Sequence, residues 1–378
     1  MTSVSSVPID REGIAGLLSS AMAGERGAKA RLPFEIRPGE VKSYALEVDS
    51  GRENRSALEA VAALGSTLGL SMSRTDDPAL ALLWNDSVGL FVDVLDPRFW
   101  LVHTAAPAGT IQAQLRRAVS SSRGVDWCWF PWQFLRGLQG DGEPRWFKSE
   151  FRGDELLPAE GVRARRLRVQ LEGDSADELL DQLITDDRYR LSTALSGVAL
   201  RIRDPELGVV DEAAHYQGRF AARGGAFELH LGFVARAVQA YARAVRHIEG
   251  HFAIGWDGSE ETGLAFDGHV LQIRFGRRID DLGFFLTGLF SCRDPFRLWS
   301  VPRLVNDSFA EAEVVDLHVG QQLRMDITPE WMRVYLSKGV CGNTVVRLVT
   351  NLQRRYDAAV VAGDDTIDLT TLASRPFH

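Results

Sequence analysis

The spacing of apolar residues changes period repeatedly along the chain, and each change marks an element. Asp10 stands where a helix N-cap would, ahead of Ile14, Leu17, Leu18 and Met22 on one helical face. Glycine, proline and charge over residues 24–40 predict a linker. "KSYALEVD" from Lys42 alternates as a strand does, and "RSALEAVAALGSTLGL" from Arg55 has helical spacing through Leu58, Val61, Leu64 and Leu68. Four short apolar runs follow ("LSMSR", "ALALLWN", "VGLFVDVL" and "FWLVHTA"). Turn signals at Asp77-Pro78, Asn85-Asp86-Ser87 and Asp96-Pro97 divide them. A helix, "TIQAQLRRAVSSS" from Thr110, closes a β-α-β4-α order over residues 41–136.

The same order is predicted over residues 258–362. "HVLQIRFG" from His269 reads as a strand and "IDDLGFFLTGLF" from Ile279 as a helix. "FRLWSVPRL", "AEVVDLHV", "QLRMDIT" and "WMRVYL" read as four strands, and "TVVRLVTNLQRRYDAAV" as the closing helix. Between the two units, residues 163–257 read β-α-β-β-α-β, a split βαβ or ferredoxin-like order. Its long helix from Glu228 carries Val234, Val238, Tyr241, Val245, Ile248 and Phe252 on one stripe. The predicted fold class is therefore α+β, with antiparallel sheets backed by helices. The β-α-β4-α order resembles that of TATA-binding-protein-like and helix-grip folds, some of which bind nucleic acid and some small apolar ligands. The likeness lies in element order, and no motif carries it. Residues 1–40 (helix and linker), 137–162 (aromatic and basic loop or hairpin) and 363–378 (acidic tail) complete the predicted organisation.

Composition narrows the function classes. The 378 residues carry a net charge of −8, which argues against a general duplex-DNA binder. The three cysteines (Cys128, Cys292 and Cys341) lie far apart and form no C-x-x-C pair, as suits a reducing compartment without disulfide or thiolate-zinc frameworks. "MTSVSSVPID" lacks the basic start and apolar core of a signal peptide, and "LGFFLTGLF" from Leu282 is about half a membrane span. A soluble cytoplasmic protein without membrane partner or cofactor is expected.

Candidate chemistry begins at "SKGVCGNTVVRLVTNL" from Ser337. Gly339 and Gly342 suit a tight strand-to-helix turn, and Asn343 or Thr344 can cap the helix. The helix N-terminus, with Lys338 and Arg347 nearby, can hold an anion and can activate Cys341. The pattern is neither a P-loop nor a dinucleotide fingerprint, so a plain structural turn stands beside the binding reading. His247 and His251 in "RHIEGHF" have the i, i+4 spacing of two metal ligands. No Cys, His or acidic cluster in the sequence supplies the other ligands, so a polar helix end is expected and no metal. Arg236, Arg243, Arg246 and His247 form a basic stripe on the long helix, and Arg163, Arg165, Arg166 and Arg168 a second cluster, with Glu172, Asp174, Asp177 and Glu178 following.

Two aromatic stretches complete the candidates. "VDWCWFPWQF" places Trp127 and Trp129 on one strand face until Pro131 interrupts it; core is the plainer reading and a stacking surface the alternative. Residues 137–158 interleave Arg145, Trp146, Phe147, Lys148, Phe151 and Arg152, either as a binding loop or as a strand paired with "WCWFPWQF". Asp93, Asp96, Asp316 and Asp326 lie in or beside predicted strands and would do acid–base work only if they met in a cleft. No G-x-S-x-G or Walker sequence is present.

The leading expectation is a non-enzymatic binding subunit that holds a partner protein or nucleic acid, single-stranded or RNA rather than duplex DNA. Arg145, Trp146, Lys148, Arg152, Lys338, Cys341, Asn343, Arg347, Arg236 and Arg243 are its candidate contacts. A small-molecule receptor of helix-grip type is the first alternative. An enzyme using Cys341 or strand carboxylates is the second.

Overall fold

The computed structural model describes residues 5–25, 32–34, 36–49, 56–159, 165–259, 263–364 and 368–369. Arg163 and most of the acidic tail lie outside them. The chain runs β1 (Ser5–Ser6), α1 (Arg11–Met22), β2 (Val41–Val48), α2 (Ala57–Leu68), β3 (Ser71–Arg74), β4 (Leu80–Asn85), β5 (Val88–Asp93), β6 (Phe99–Thr104), α3 (Ala108–Ser121) and β7 (Val125–Trp127). Next come α4 (Trp132–Gly137), β8 (Glu143–Arg152), β9 (Arg166–Glu172), α5 (Ala176–Thr185), β10 (Leu195–Asp204), β11 (Gly208–His215), β12 (Arg219–Gly224) and α6 (Phe227–His247). The rest is β13 (Ala253–Ser259), β14 (Gly263–Asp267), β15 (Leu271–Arg274), α7 (Leu282–Leu289), β16 (Leu298–Ser300), β17 (Arg303–Asn306), β18 (Phe309–Asp316), β19 (Gln321–Ile327), β20 (Trp331–Ser337), α8 (Asn343–Arg355) and β21 (Val361–Gly363). Helices and largely antiparallel sheets are mixed, which is the α+β class that the sequence predicts.

Two compact units divide the chain. The first comprises Met1–Cys128, Asp141–Glu143 and Ala199–Gln239; the second comprises Trp129–Gly140, Pro144–Val198 and Ala240–His378. In the first unit the strand order is β1-β3-β4-β5-β6-β2-β12-β11, with β7 also on β2. Alternation gives β2 two buried faces. Val41 shares one face with Phe91 and Ala222, where Leu18 and Met22 of α1 and Phe227 of α6 cover it. Tyr44 faces the other way and meets the ring of Trp127 at 6.2 Å. On that side Gly65 of α2 lets the helix close on Leu83, since a Cβ there would lie 2.7 Å from Leu83 Cδ2. Local chemistry starts both helices: Asp10 accepts from the Gly13 N–H, and Ser56 with Glu59 forms a capping box.

In the second unit β18, β19 and β20 form an antiparallel meander. β15 pairs with β20, and β21 with β15. The α6 stripe is buried as predicted, with Tyr241, Val245, Ile248 and Phe252 inside. Three sequence expectations change. The strand β8 pairs with β9, in register from Trp146 opposite Glu172 to Arg152 opposite Arg166, and not with "WCWFPWQF". Pro131 takes the N-cap position of α4, a site where its missing N–H costs nothing, so that strand stops at Trp127. "FRLWSVPRL" is not one strand: β16 ends before Val301-Pro302 and β17 begins after it.

Candidate functional site

The glycine loop before α8 is filled by the protein itself. Gly339 has the positive φ expected of the turn (80°), but Gly342 has an ordinary helical φ of −63°. Gly342 is needed for space instead, because a Cβ there would lie 2.6 Å from the Val245 carbonyl oxygen. The amides expected to hold an anion already have partners. Cys341 N–H donates to Gln321 Oε1 (2.6 Å) and Gly342 N–H to Glu249 Oε1 (2.8 Å). Neither Asn343 nor Thr344 caps the helix: the buried Asn343 amide donates to Tyr241 Oη (2.8 Å), and Thr344 Oγ1 to Asp316 Oδ2 (2.8 Å). Cys341 is buried.

Arg347 points inward. It is wholly enclosed, ion-paired to Asp316, and donates from Nε to the Phe296 carbonyl (3.0 Å) and from Nη1 to Asn343 Oδ1 (3.3 Å). For Asp316 burial is the largest influence and pushes its pKa up. Arg347, His318 and the hydrogen bond from Thr344 together outweigh it, so the carboxyl is held below its ordinary value. Asp93, in the first unit, is ion-paired with Arg11 (Nη2–Oδ1 3.1 Å). Each of these strand carboxylates thus has its own arginine and a structural explanation.

The remaining predicted contacts lie nearer the surface. Arg145 and Arg152 are exposed on β8, and Trp146 and Lys148 are half-buried there. Arg152 pairs with Glu150. A groove of the second unit combines Arg152, Arg166, Arg168 and Arg355 with Glu150, Asp154 and Glu155, so its charge is nearly balanced. Lys338 lies 3.6 Å from Asp267 Oδ2, and Arg236 lies 3.8 Å from Asp141 Oδ1. Arg243 is exposed. Trp127, Trp129, Phe130 and Phe134 are buried core, with Phe130 stacked on Phe134 (4.5 Å). An apolar crevice lined by Phe130, Tyr241, Ile248 and Val345 admits little more than a water molecule. A cleft of about 250 Å³ in the first unit, beside Phe34, Phe91 and Pro107, is smaller than most small-molecule sites.

Inside the first unit lies a polar chain that sequence spacing does not reveal. Ser43 Oγ is 2.6 Å from His103 Nδ1 and 2.6 Å from His230 Nε2, and His230 Nδ1 is 2.6 Å from Glu212 Oε1. Strand register builds it, since Ser43 lies opposite His103 on β6 and α6 brings His230 over the same face. With Glu212 ionised and both imidazoles neutral, the donors run one way, from His103 Nδ1–H to Ser43, from Ser43 O–H to His230, and from His230 Nδ1–H to Glu212. Burial is the main cause that pushes the His103 pKa down to about 3, and His230 adds to it. The order Ser–His–Glu is that of an acyl-transfer triad. Yet Ser43 is fully enclosed, so its evident work is to tie α6 to the sheet.

Two features nearer the surface stand out among the described residues of the second unit. At the end of α6, His251 is joined by His269 and Asp364, a convergence that corrects the expectation that no further ligands exist. At the sheet edge, β16 and β17 both pair with β18 and carry apolar side chains outward: Trp299 (47% exposed), Val301 (79%), Leu304 (54%) and Val305 (47%). Every residue of β17 is exposed, so Leu304 and Val305, which point to opposite faces, are both uncovered.

The sequence profile of the MJECL33-like protein family matches residues 34–369. The chain belongs to that family. It is similar to the uncharacterized protein MJECL33 of Methanocaldococcus jannaschii, 26% identical over 310 residues that cover 72% of this chain and 75% of that one. No solved structure matches the chain. The span matched to the family holds the Ser43 chain, the His251 cluster and the β16–β17 edge alike.

Sequence reading passes over these features for one reason. Ser43 and His230 are 187 positions apart, and His251 and Asp364 are 113 apart. Only "LWSVPRLVN" offers a local signal, because its apolar residues alternate with neither helical nor strand period across Pro302.

Proposed function

We propose that this member of the MJECL33-like family is a binding subunit, without catalytic activity of its own, that holds a partner protein at the β16–β17 edge. The observation that carries the reading is the exposure of Leu304 and Val305 on both faces of an edge strand, beside Trp299 and Val301. Ser291 already bridges β16 at Trp299, so the open part of this edge is β17, whose exposed apolar side chains are of a kind that proteins usually cover or blunt. The occupant we favour is an extended partner segment that adds to the edge, its apolar side chains meeting Trp299 and Leu304. A net charge of −8 and the pairing of Arg303 with Glu311 favour a neutral or basic peptide over a nucleic acid. Three cysteines free of disulfides are in keeping with action in the cytoplasm. No described helix is long and apolar enough to cross a membrane. We also read residues 41–136 and 258–362 as variants of one β-α-β4-α plan around a split βαβ stretch at 163–257, on the strength of element order.

The test is photo-crosslinking in the native cell from a reactive phenylalanine derivative at position Val301, with position Leu95, also exposed, as control. A single partner protein captured from Val301 and not from Leu95, and lost in Leu304→Asp, supports the reading. Equal capture from both positions, or none, overturns it. Self-crosslinking with a dimeric native mass assigns the edge to a second copy, and crosslinked RNA assigns the surface to nucleic acid; either replaces the proposed partner.

A further inference from the structure

The end of α6 carries a constellation independent of the apolar edge. The helix leaves its regular path in a single wider turn, Ile248–Phe252, which swings His251 outward. The backbone N–H of His269, in the turn between β14 and β15, donates to the His251 carbonyl (3.0 Å) and so fixes the second histidine against the first. Their rings stack with centroids 4.3 Å apart and planes 17° from parallel. β21 pairs with β15 so that Gly363 lies opposite Gln272, which delivers the next residue, Asp364, to the same place. Its Oδ2 is 2.6 Å from His251 Nε2. One donor atom from each of His251, His269 and Asp364 lies within 4.8 Å of the other two.

His247 borders this arrangement. It lies one helical turn before His251 and stacks on it with centroids 5.1 Å apart. Its Nε2 is enclosed and has no hydrogen-bond partner. Buried ring nitrogens are normally satisfied, so the unmatched one adds to the unused donor capacity beside the trio.

We propose that His251, His269 and Asp364 form a site for a first-row divalent transition metal such as Zn²⁺. Two imidazoles and one carboxylate suit Zn²⁺, Ni²⁺, Co²⁺ or Fe²⁺, whereas Mg²⁺ and Ca²⁺ prefer oxygen-rich sets. Zn–N and Zn–O bonds of about 2.0–2.2 Å place ligand atoms roughly 3.3 Å apart around a tetrahedral ion. The trio's ligand atoms, within 4.8 Å of one another, draw together to reach that spacing. The ion enters between His251 Nε2 and Asp364 Oδ2, and the proton those atoms share moves to Nδ1 of a neutral ring or to solvent from a charged one. Three protein ligands leave at least one coordination position open, and the exposed His269 keeps that side accessible.

The test titrates Zn²⁺ into the chelator-stripped full chain by competition with a chromophoric chelator, in a Cys292→Ser background that removes the exposed thiol. One saturable site is expected, with His269→Ala and Asp364→Asn each weakening it at least tenfold. Tenfold excess Mg²⁺ should not displace the ion. His269 is exposed, so its removal should leave the far-ultraviolet circular dichroism unchanged; a cobalt-loaded sample should show visible bands of low-symmetry coordination that the same variants abolish. Unsaturable uptake, or one-to-one uptake that both variants retain, overturns the proposal.

Discussion

Arg347 offers the sharpest test of how the second unit is held together, because the sequence reads it as an anion contact and the fold encloses it. Replacing it by alanine leaves Asp316 buried without its cation and removes donors from the Phe296 carbonyl and Asn343 Oδ1. Breaking one side of such a pair costs about 3–5 kcal/mol. Asp316→Asn should cost a similar amount, since it strands the guanidinium instead. With a urea m-value of about 2–3 kcal/mol/M, either change lowers the midpoint by roughly 1–2 M. Tryptophan fluorescence during urea titration reads the midpoint, and hydrogen exchange of the α8 amides reads the same loss locally. The double variant Arg347→Ala with Asp316→Asn should cost much less than the sum of the two, because it removes both charges together. Acid separates the pair from simple packing. The Asp316 pKa is held below its ordinary value in the fold, so its stabilisation is present above the unfolded value near 4 and lost as pH falls below it. Single variants that each cost less than about 1 kcal/mol and add in the double would show that Arg347 is not a buried partner of Asp316.

Other outcomes follow from the same geometry. Ser43→Ala leaves His103 Nδ1 and His230 Nε2 facing each other without the bridging hydroxyl, at about 1–3 kcal/mol for each buried group; a thermal unfolding midpoint unchanged from wild type would refute the chain. His103 has a folded pKa of about 3 against an ordinary 6.5, so the unfolded chain binds the extra proton and stability falls as pH drops from about 6.5 towards 3. At pH 5 that amounts to about 2 kcal/mol, and His103→Gln should flatten the loss between pH 7 and pH 5 relative to wild type. Glu212, raised by burial, acts in the opposite sense but is present in both proteins; identical slopes in urea titrations would refute the assignment. Iodoacetamide should label exposed Cys292 quickly, and the buried Cys128 and Cys341 only on unfolding; Cys341 labelled as fast as Cys292 would restore the nucleophile reading.

Several features were legible in the sequence because their causes act within a few residues. The Asp10 cap, the helical spacing of α2 and the buried stripe of α6 all follow from side chains three or four positions apart. The α+β class follows from the succession of such periods. Partner choice is different in kind. Alternation makes β8 a strand but leaves open which strand it joins, and the start of α4 at Pro131 removes the neighbour that proximity suggested. A helical arginine near a glycine loop looks available until Asp316 arrives from β18 to enclose it. His251 meets Asp364 only because β21 pairs with β15, and Ser43 meets His230 only because α6 crosses the face of β2. Period and capping belong to neighbours along the chain, whereas ion pairs, polar chains and ligand sets belong to neighbours in space, and only the packed fold decides those.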